Sequence, residues 1–290
     1  IQYWFSRHTV SKLSVLFGFA TVLAIVSISI FTLSFFFFKN LFEFAQFGQL
    51  TAIYILNASI LLLAWLSLGS SLSTHLTLFL KPDKEQSYLL TLPLDTKHLT
   101  RWLSFKSIIL NTSLLLLIFA PISVAFATVF TQVDSDLFFK LTLILFTLTL
   151  LTHSLGAITG FFLAPILKTK STTFILTLVA LFFLSSTYVI TRTLFPQSLL
   201  ALYKSTSENF LSVYYQLPLN RSYIPSKWLT DTLNGVSYTG TLSLTLVSLA
   251  FALITDKIKS HNFAHLYQKL QVNPPKSKPQ SINPQYFPQP

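Results

Sequence analysis

Residues 13–38 read LSVLFGFATVLAIVSISIFTLSFFFF, a stretch without one charged side chain. A helix rises 1.5 Å per residue and the hydrocarbon core of a bilayer is about 30 Å thick, so roughly 20 such residues cross it. The run is too long for the apolar core of a signal peptide, and no small-residue cleavage site follows Phe35 to Phe38. It reads as a retained transmembrane helix.

Five more runs have the same character: Gly48 to Leu80, Ser107 to Phe130, Leu137 to Leu167, Thr172 to Leu194 and Tyr238 to Thr255. The whole chain agrees with them. Of its 290 residues 52% are hydrophobic and only 10% charged, with a mean hydropathy of +0.61, against roughly 25% charged in an ordinary soluble domain. The sequence predicts an all-α integral membrane protein of six spans. This composition excludes a disordered chain, and the absence of Cys excludes a disulfide scaffold. Ile1 and the lack of any Met lead us to expect a processed or cut form, or a start further upstream.

Six spans place both termini on one side. Of the 20 Lys and Arg, Lys39, Lys140, Arg192, Lys204, Arg221 and Lys227 fall on the opposite side, leaving 14 with the termini. By the positive-inside rule the termini are cytoplasmic. The net charge of +11 therefore reports orientation, and no nucleic-acid partner is expected. Residues 1–255 form the span domain, 256–272 a basic amphipathic helix along the inner leaflet, attracted to anionic membrane lipid, and 273–290 a Pro-rich tail or linker.

Two connections are long. The cytoplasmic one between spans two and three carries Asp83 with Gln86, a pattern like a capping box, and Asp95, which can cap a turn opening at Thr96. Beyond it Leu99, Trp102, Leu103 and Lys106 share a face beside Lys97, His98 and Arg101, as in a short interfacial helix. Two readings stand, a plain connector and a docking knob for a partner, and spacing does not separate them. The external connection, Phe195 to Gly240, is rich in Leu, Tyr and Trp and suits short helices dipping into the outer interface. Within it Ser226 can cap a helix bearing Trp228, Leu229, Thr232 and Leu233, which Asn234-Gly235 would end. An outer gate and an interfacial collar fit equally.

Catalytic and metal patterns are sparse. No Walker-type glycine loop is present. His261 and His265 stand four apart without a third ligand, and Asp134 and Asp136 read as isolated and solvated. His153, beside Thr152 and Ser154, is read as the single span histidine and more plausibly a hydrogen-bonded core residue than a relay. Gly156 and Gly160 make a small-xxx-small pattern suited to close packing within the chain, and Asn57 and Asn111 are expected to bond across helices.

The stretch from Leu72 to Lys97 resembles the first cytoplasmic loop of ATP-binding-cassette exporter permeases of the type-two superfamily. The resemblance is carried by Asp83 and Glu85, by Leu89-Leu90-Thr91-Leu92-Pro93, and by Lys97 with Arg101 before the third span. Ile224-Pro225-Ser226-Lys227-Trp228-Leu229 also looks like a segment preceding the last span in one exporter branch. The resemblance implies a permease, not itself an enzyme, whose coupling helix docks on a separate cytoplasmic ATPase through Asp83, Glu85, Leu90, Leu92, Pro93, Asp95, Lys97, Arg101 and Trp102. ATP-Mg would sit on that partner and no cofactor on this chain, Pro225, Ser226 and Trp228 would form the outer gate, and a second six-span half would complete the pathway in a prokaryotic plasma membrane. The alternative is a non-transporting anchor or assembly subunit of a larger complex.

Overall fold

The computed structural model describes residues 2–44, 47–80, 96–131, 133, 135–167, 172–194 and 209–271. Among them are eight α-helices and no strand. These are α1 (Gln2–Phe44), α2 (Gly48–Leu80), α3 (Thr96–Phe130), α4 (Ser135–Leu167), α5 (Thr172–Leu194), α6 (Phe210–Gln216), α7 (Pro225–Leu233) and α8 (Thr239–Gln271), with a single 3-10 turn at Pro218–Asn220. Six, namely α1 to α5 and α8, are long and apolar enough to cross a bilayer.

Two helices run on through segments that the sequence reading gives to separate helices. The interfacial helix expected after Asp95 is the first part of α3, and the basic helix expected after Thr255 is the last part of α8. The reason is local. From Thr96 to Ser107 and from Thr241 to Gln271 there is neither Gly nor Pro, so nothing stops propagation once a helix has formed.

The bundle is built around α4. In its span window 61% of residues are buried, against 6% in α1 and 11% in α5, so α4 is the axis and those two helices are flanks. α4 packs against α2, α8 and α3, α1 lies against α3, and α5 lies against α2. One apolar core joins Phe38, Leu56, Ile60, Phe119, Phe126 and Ile144, where Phe38 meets Phe126 edge to face at 5.5 Å. A second, further along the bundle, joins Leu72, Leu76, Phe161, Ile175 and Phe183 beside Trp65. Outward faces carry exposed Phe17, Leu33, Phe139, Phe162, Leu184 and Leu253. In water so much exposed apolar surface would drive association.

At one end of the bundle α7 lies across α2, α4 and α8. Its start differs from the expectation, because Ile224 is the N-cap and Pro225 takes the first helical position, which leaves Ser226 buried inside the first turn with its hydroxyl unpartnered. Proline is preorganised for that place, since its missing N–H would have no partner there. The helix ends at Asn234 and Gly235. Gly235 has φ +71°, and bonds from Gly235 N to Thr232 O and from Val236 N to Asp231 O close a Schellman motif.

Candidate functional site

Polar side chains line the interior of this apolar bundle along one seam. On α2, Ser67, Ser71 and His75 repeat every four residues and share a face; on α4, Thr149, Thr152, His153, Gly156 and Gly160 do the same. Glycine explains the contact. A Cβ on Gly156 would collide with the Ser71 side chain and stand 2.8 Å from Leu72 N, and one on Gly160 would stand 2.9 Å from His75 Cβ. The two backbones thus approach closely, as small residues permit between apolar helices.

Hydrogen bonds run along the seam. Ser67 Oγ and Thr152 Oγ1 are 3.0 Å apart, Ser71 Oγ donates to His153 O at 3.3 Å, and Thr147 Oγ1 meets Thr245 Oγ1 of α8 at 2.6 Å. From α3, Asn111 Oδ1 accepts from Ser70 Oγ at 3.1 Å and Thr112 Oγ1 donates to Thr149 Oγ1 at 3.3 Å. The expected cross-helix bond of Asn111 is therefore present. Asn57 bonds differently, its Nδ2 donating to Leu219 O in the 3-10 turn at 2.7 Å.

Toward the Arg101 end the seam turns cationic. His75 and His153, both buried, hold their rings 4.9 Å apart. Lys259 of α8, 5% exposed, donates from Nζ to Ser104 Oγ of α3 at 2.6 Å. Four buried polar atoms here have no protein partner: His75 Nε2, His153 Nδ1, Ser107 Oγ and Asn111 Nδ2. Leaving a buried donor or acceptor unmade costs about 1–3 kcal/mol, which the surrounding fold has to absorb. Sequence reading missed His75, Lys259, Ser104 and Ser107. His75 stands inside α2, so His153 is not the single span histidine, and one nitrogen of each ring, His75 Nε2 and His153 Nδ1, has no protein partner. The signal for Lys259 was present, because it continues the buried stripe Leu244, Ser248 and Thr255 at spacings of four and seven.

Outside the seam at the same end, Arg101 Nε lies 3.3 Å from Asp256 Oδ2, the two side chains being 64% and 32% exposed. Beside the pair is a groove of about 720 Å³ lined by Arg101, Leu253, Asp256, Lys257, Ile258 and His261 among others. Trp102 is exposed next to Phe105. Of the expected docking residues, Asp83, Glu85, Leu90, Leu92, Pro93 and Asp95 lie outside the described residues, and Lys97 lies in the first turn of α3 with its side chain outside them.

The opposite end is pinned by α6 and α7. Trp228 Nε1 donates to Ser222 O at 2.6 Å, and its ring fills the space a Cβ on Gly240 would need. Thr232 Oγ1 meets Thr241 Oγ1 at 2.7 Å. Burial, then the charge of Asp231 and then Tyr215, pushes the Tyr214 phenol well above its usual range. Asp136 is not isolated as expected. Lys140 Nζ lies 2.7 Å from it, and Tyr238 OH donates to it at 3.0 Å.

A comparison with known families finds one described as "Putative ATP-binding cassette", whose model matches residues 7–273. No curated protein and no solved structure matches. The family match overturns the expectation of a type-two exporter permease. With it fall the expectations of a transport subunit that is no enzyme and of ATP-Mg held only by a partner, because the family is described by its cassette and not as a permease. The misleading resemblance rested on short motifs, those between Leu72 and Arg101 lying mostly outside the described residues and the other at Ile224 to Leu229, and helical patterning does not separate families that share it.

The described residues do not themselves form a phosphate cradle. Such a cradle needs a glycine-rich loop feeding a helix N-terminus. Here Gly69, Gly156, Gly160 and Gly240 all pack inside helices against neighbouring side chains, and no strand precedes a helix among the described residues, so these residues do not fit a bound nucleotide phosphate. With residues 7–273 of its 290 inside the match, the chain belongs to the family described as "Putative ATP-binding cassette".

Proposed function

We propose that this chain is a membrane-embedded helical component of an ATP-binding-cassette transport system, and that the polar seam between α2, α3, α4 and α8 is the part that changes packing during its cycle. The observation carrying this reading is the seam itself. Side-chain hydroxyls, amides and imidazoles run through the middle of a bundle whose outward surface is apolar. Polar groups at that depth in a bilayer are costly and mark pathways or moving contacts. Serine and threonine bonds of this kind are worth only about 1 kcal/mol each between membrane helices, so a seam of them can exchange partners without unfolding.

The family's description supports the link to ATP-driven transport. The positive-inside bias supports an orientation with the Arg101 end cytoplasmic, in a multi-pass arrangement with both termini inside and residues 256–272 along the inner leaflet. The plasma membrane of a prokaryote is the location this reading favours. Its partners are membrane lipid and the other members of an ATP-binding-cassette complex. Among the sites, Pro225, Ser226 and Trp228 act as an outer closure resting on α8, and Arg101 with Trp102 face the partner.

The chain contains no Cys, so single cysteines can report the seam without a background. In native membranes, Ser71→Cys and Asn111→Cys should change their rate of maleimide labelling by about threefold or more between ATP-supplied and ATP-depleted states. Identical rates at both positions would sink the proposal. Stable association with other subunits but no effect of seam substitutions on any transported compound would identify an anchor instead.

A further inference from the structure

The cationic end of the seam has the chemistry of a binding pocket. Ser104, Ser107 and Asn111 stand three and four residues apart on α3 and share a face. Lys259 from α8 reaches that face at Ser104, 2.6 Å away, and its charge acts on both His75 of α2 and His153 of α4, whose imidazoles lie 4.9 Å apart. His75 is 2%, His153 4%, Ser107 3% and Asn111 4% exposed, and each has a polar atom without a protein partner.

The donor and acceptor types decide what would satisfy them. An ammonium and an amide nitrogen only donate, whereas a hydroxyl or an imidazole can do so. The group therefore offers several donors and one lysine charge, and the carboxylate that acts on that charge, Asp256, is not among its members. Asp256, one turn before Lys259 on α8, is engaged by Arg101 on the outward side. Water would fill the hydrogen bonds, whereas an oxyanion would fill them and also meet the lysine charge, which Asp256 otherwise shares between Lys259 and Arg101. Two histidines from different helices also suggest a transition metal, but the lysine beside them repels a dication, and the described residues hold no group of three or more His, Cys, Asp or Glu suited to a metal.

We propose that His75, Ser107, Asn111, His153 and Lys259 form a binding site for a phosphate-type oxyanion. The neighbouring groove of about 720 Å³ combines Arg101, Lys257 and His261 with Leu253 and Ile258, a lining that suits an anionic headgroup with an acyl chain. Both a lipid headgroup and free phosphate present the same oxyanion. The site occupies the seam on which the transport reading rests, but it is tested by binding alone, so either can fail without the other.

The full chain is purified in uncharged maltoside detergent and titrated with inorganic phosphate and with dihexanoyl phosphatidic acid, with dihexanoyl phosphatidylcholine as the zwitterionic control. Binding is read by equilibrium dialysis and by the shift of the tryptophan-monitored melting curve. Saturable binding is expected, weakened about tenfold or more in Lys259→Gln and in Asn111→Ala, retained within about threefold in Lys259→Arg, and little changed in Lys39→Gln, a half-exposed lysine of α1 outside the site. Phosphatidic acid binding about tenfold tighter than phosphate identifies the lipid source, and equal binding identifies the free anion; both support the site. If Lys259→Gln does not fold, Asn111→Ala and Ser107→Ala decide. The proposal is overturned if neither probe saturates the wild type, if the neutralised variants that fold bind as well as it does, if the phosphatidylcholine control binds equally, or if Zn²⁺ binds stoichiometrically and is lost in His75→Gln and His153→Gln.

Discussion

Gly160 of α4 lies so close to His75 of α2 that a Cβ added to it would stand 2.9 Å from His75 Cβ. One turn away, Gly156 stands in the same relation to Ser71 and Leu72. The closeness of these two helices is what sets the two imidazoles ring against ring, so the geometry of the polar pocket depends on residues with no side chain.

That contact is directly testable. Gly156→Ala should destabilise by about 1–3 kcal/mol through overpacking, outweighing the roughly 1 kcal/mol alanine gains in helix propensity, because one of its obstacles is Leu72 backbone nitrogen, which cannot rotate away. Gly18, with nothing within 4 Å of its Cβ position, is the control, and Gly18→Ala should be neutral or stabilising by about 0.5–1 kcal/mol. Thermal unfolding in detergent measures both. Equal melting temperatures for the two variants would remove the close α2–α4 approach from the account.

Asn57 tests the other end. Its Nδ2 is the donor held by Leu219 O at 2.7 Å, tying α2 to the segment between α6 and α7. Asn57→Ala leaves that carbonyl without this partner and should cost about 1–3 kcal/mol. The expected readout is local as well as global: faster proteolysis near Arg221 and Tyr223, both exposed, than in the parent protein. Unchanged proteolysis and an unchanged melting temperature would show that the outer segment is held by apolar packing of Phe210, Tyr214 and Leu219 alone.

The six long helices were legible in the sequence because a run of 20 or more apolar residues has few other stable forms. What lay between them was less so. The continuity of α3 through Ser107 and of α8 through Thr255 followed from the absence of any stop signal, which a hydropathy boundary does not record. His75 and Lys259 escaped because each sits near the end of an apolar run, where charge is normally assigned to the interface. Their burial depends on which helices face them, a tertiary fact. The cap of α7 went to Ile224 rather than Ser226 because Pro225 competes for the first helical position, a choice between two valid local rules. The family-level reading failed for a different reason, since it rested on short motifs with little physical content.

Not every ion pair at the Arg101 end should matter to stability. Arg101 is largely exposed, and its 3.3 Å contact with Asp256 is a single one. Exposed pairs contribute about 0–1 kcal/mol, so Arg101→Gln and Asp256→Asn should each leave the melting temperature nearly unchanged, and 0.5 M salt should make little further difference. A large loss in either variant would mean that the pair is shielded and belongs to the buried cluster around Lys259.

Orientation is the remaining test, and it uses α8. Val236, 73% exposed in the turn before α8, and Lys257, exposed within α8, bracket the apolar run from Tyr238 to Thr255. If the Arg101 end is cytoplasmic, as the positive-inside rule predicts from the charge bias, Val236→Cys should react with a membrane-impermeant maleimide in intact cells. Lys257→Cys should react only in inverted vesicles. Neither position competes with a native thiol, since the chain has no Cys. The reverse pattern would invert the topology and place α6 and α7 inside. Labelling of both from one side would show that α8 does not cross, and the even number of spans behind the charge count would fail with it.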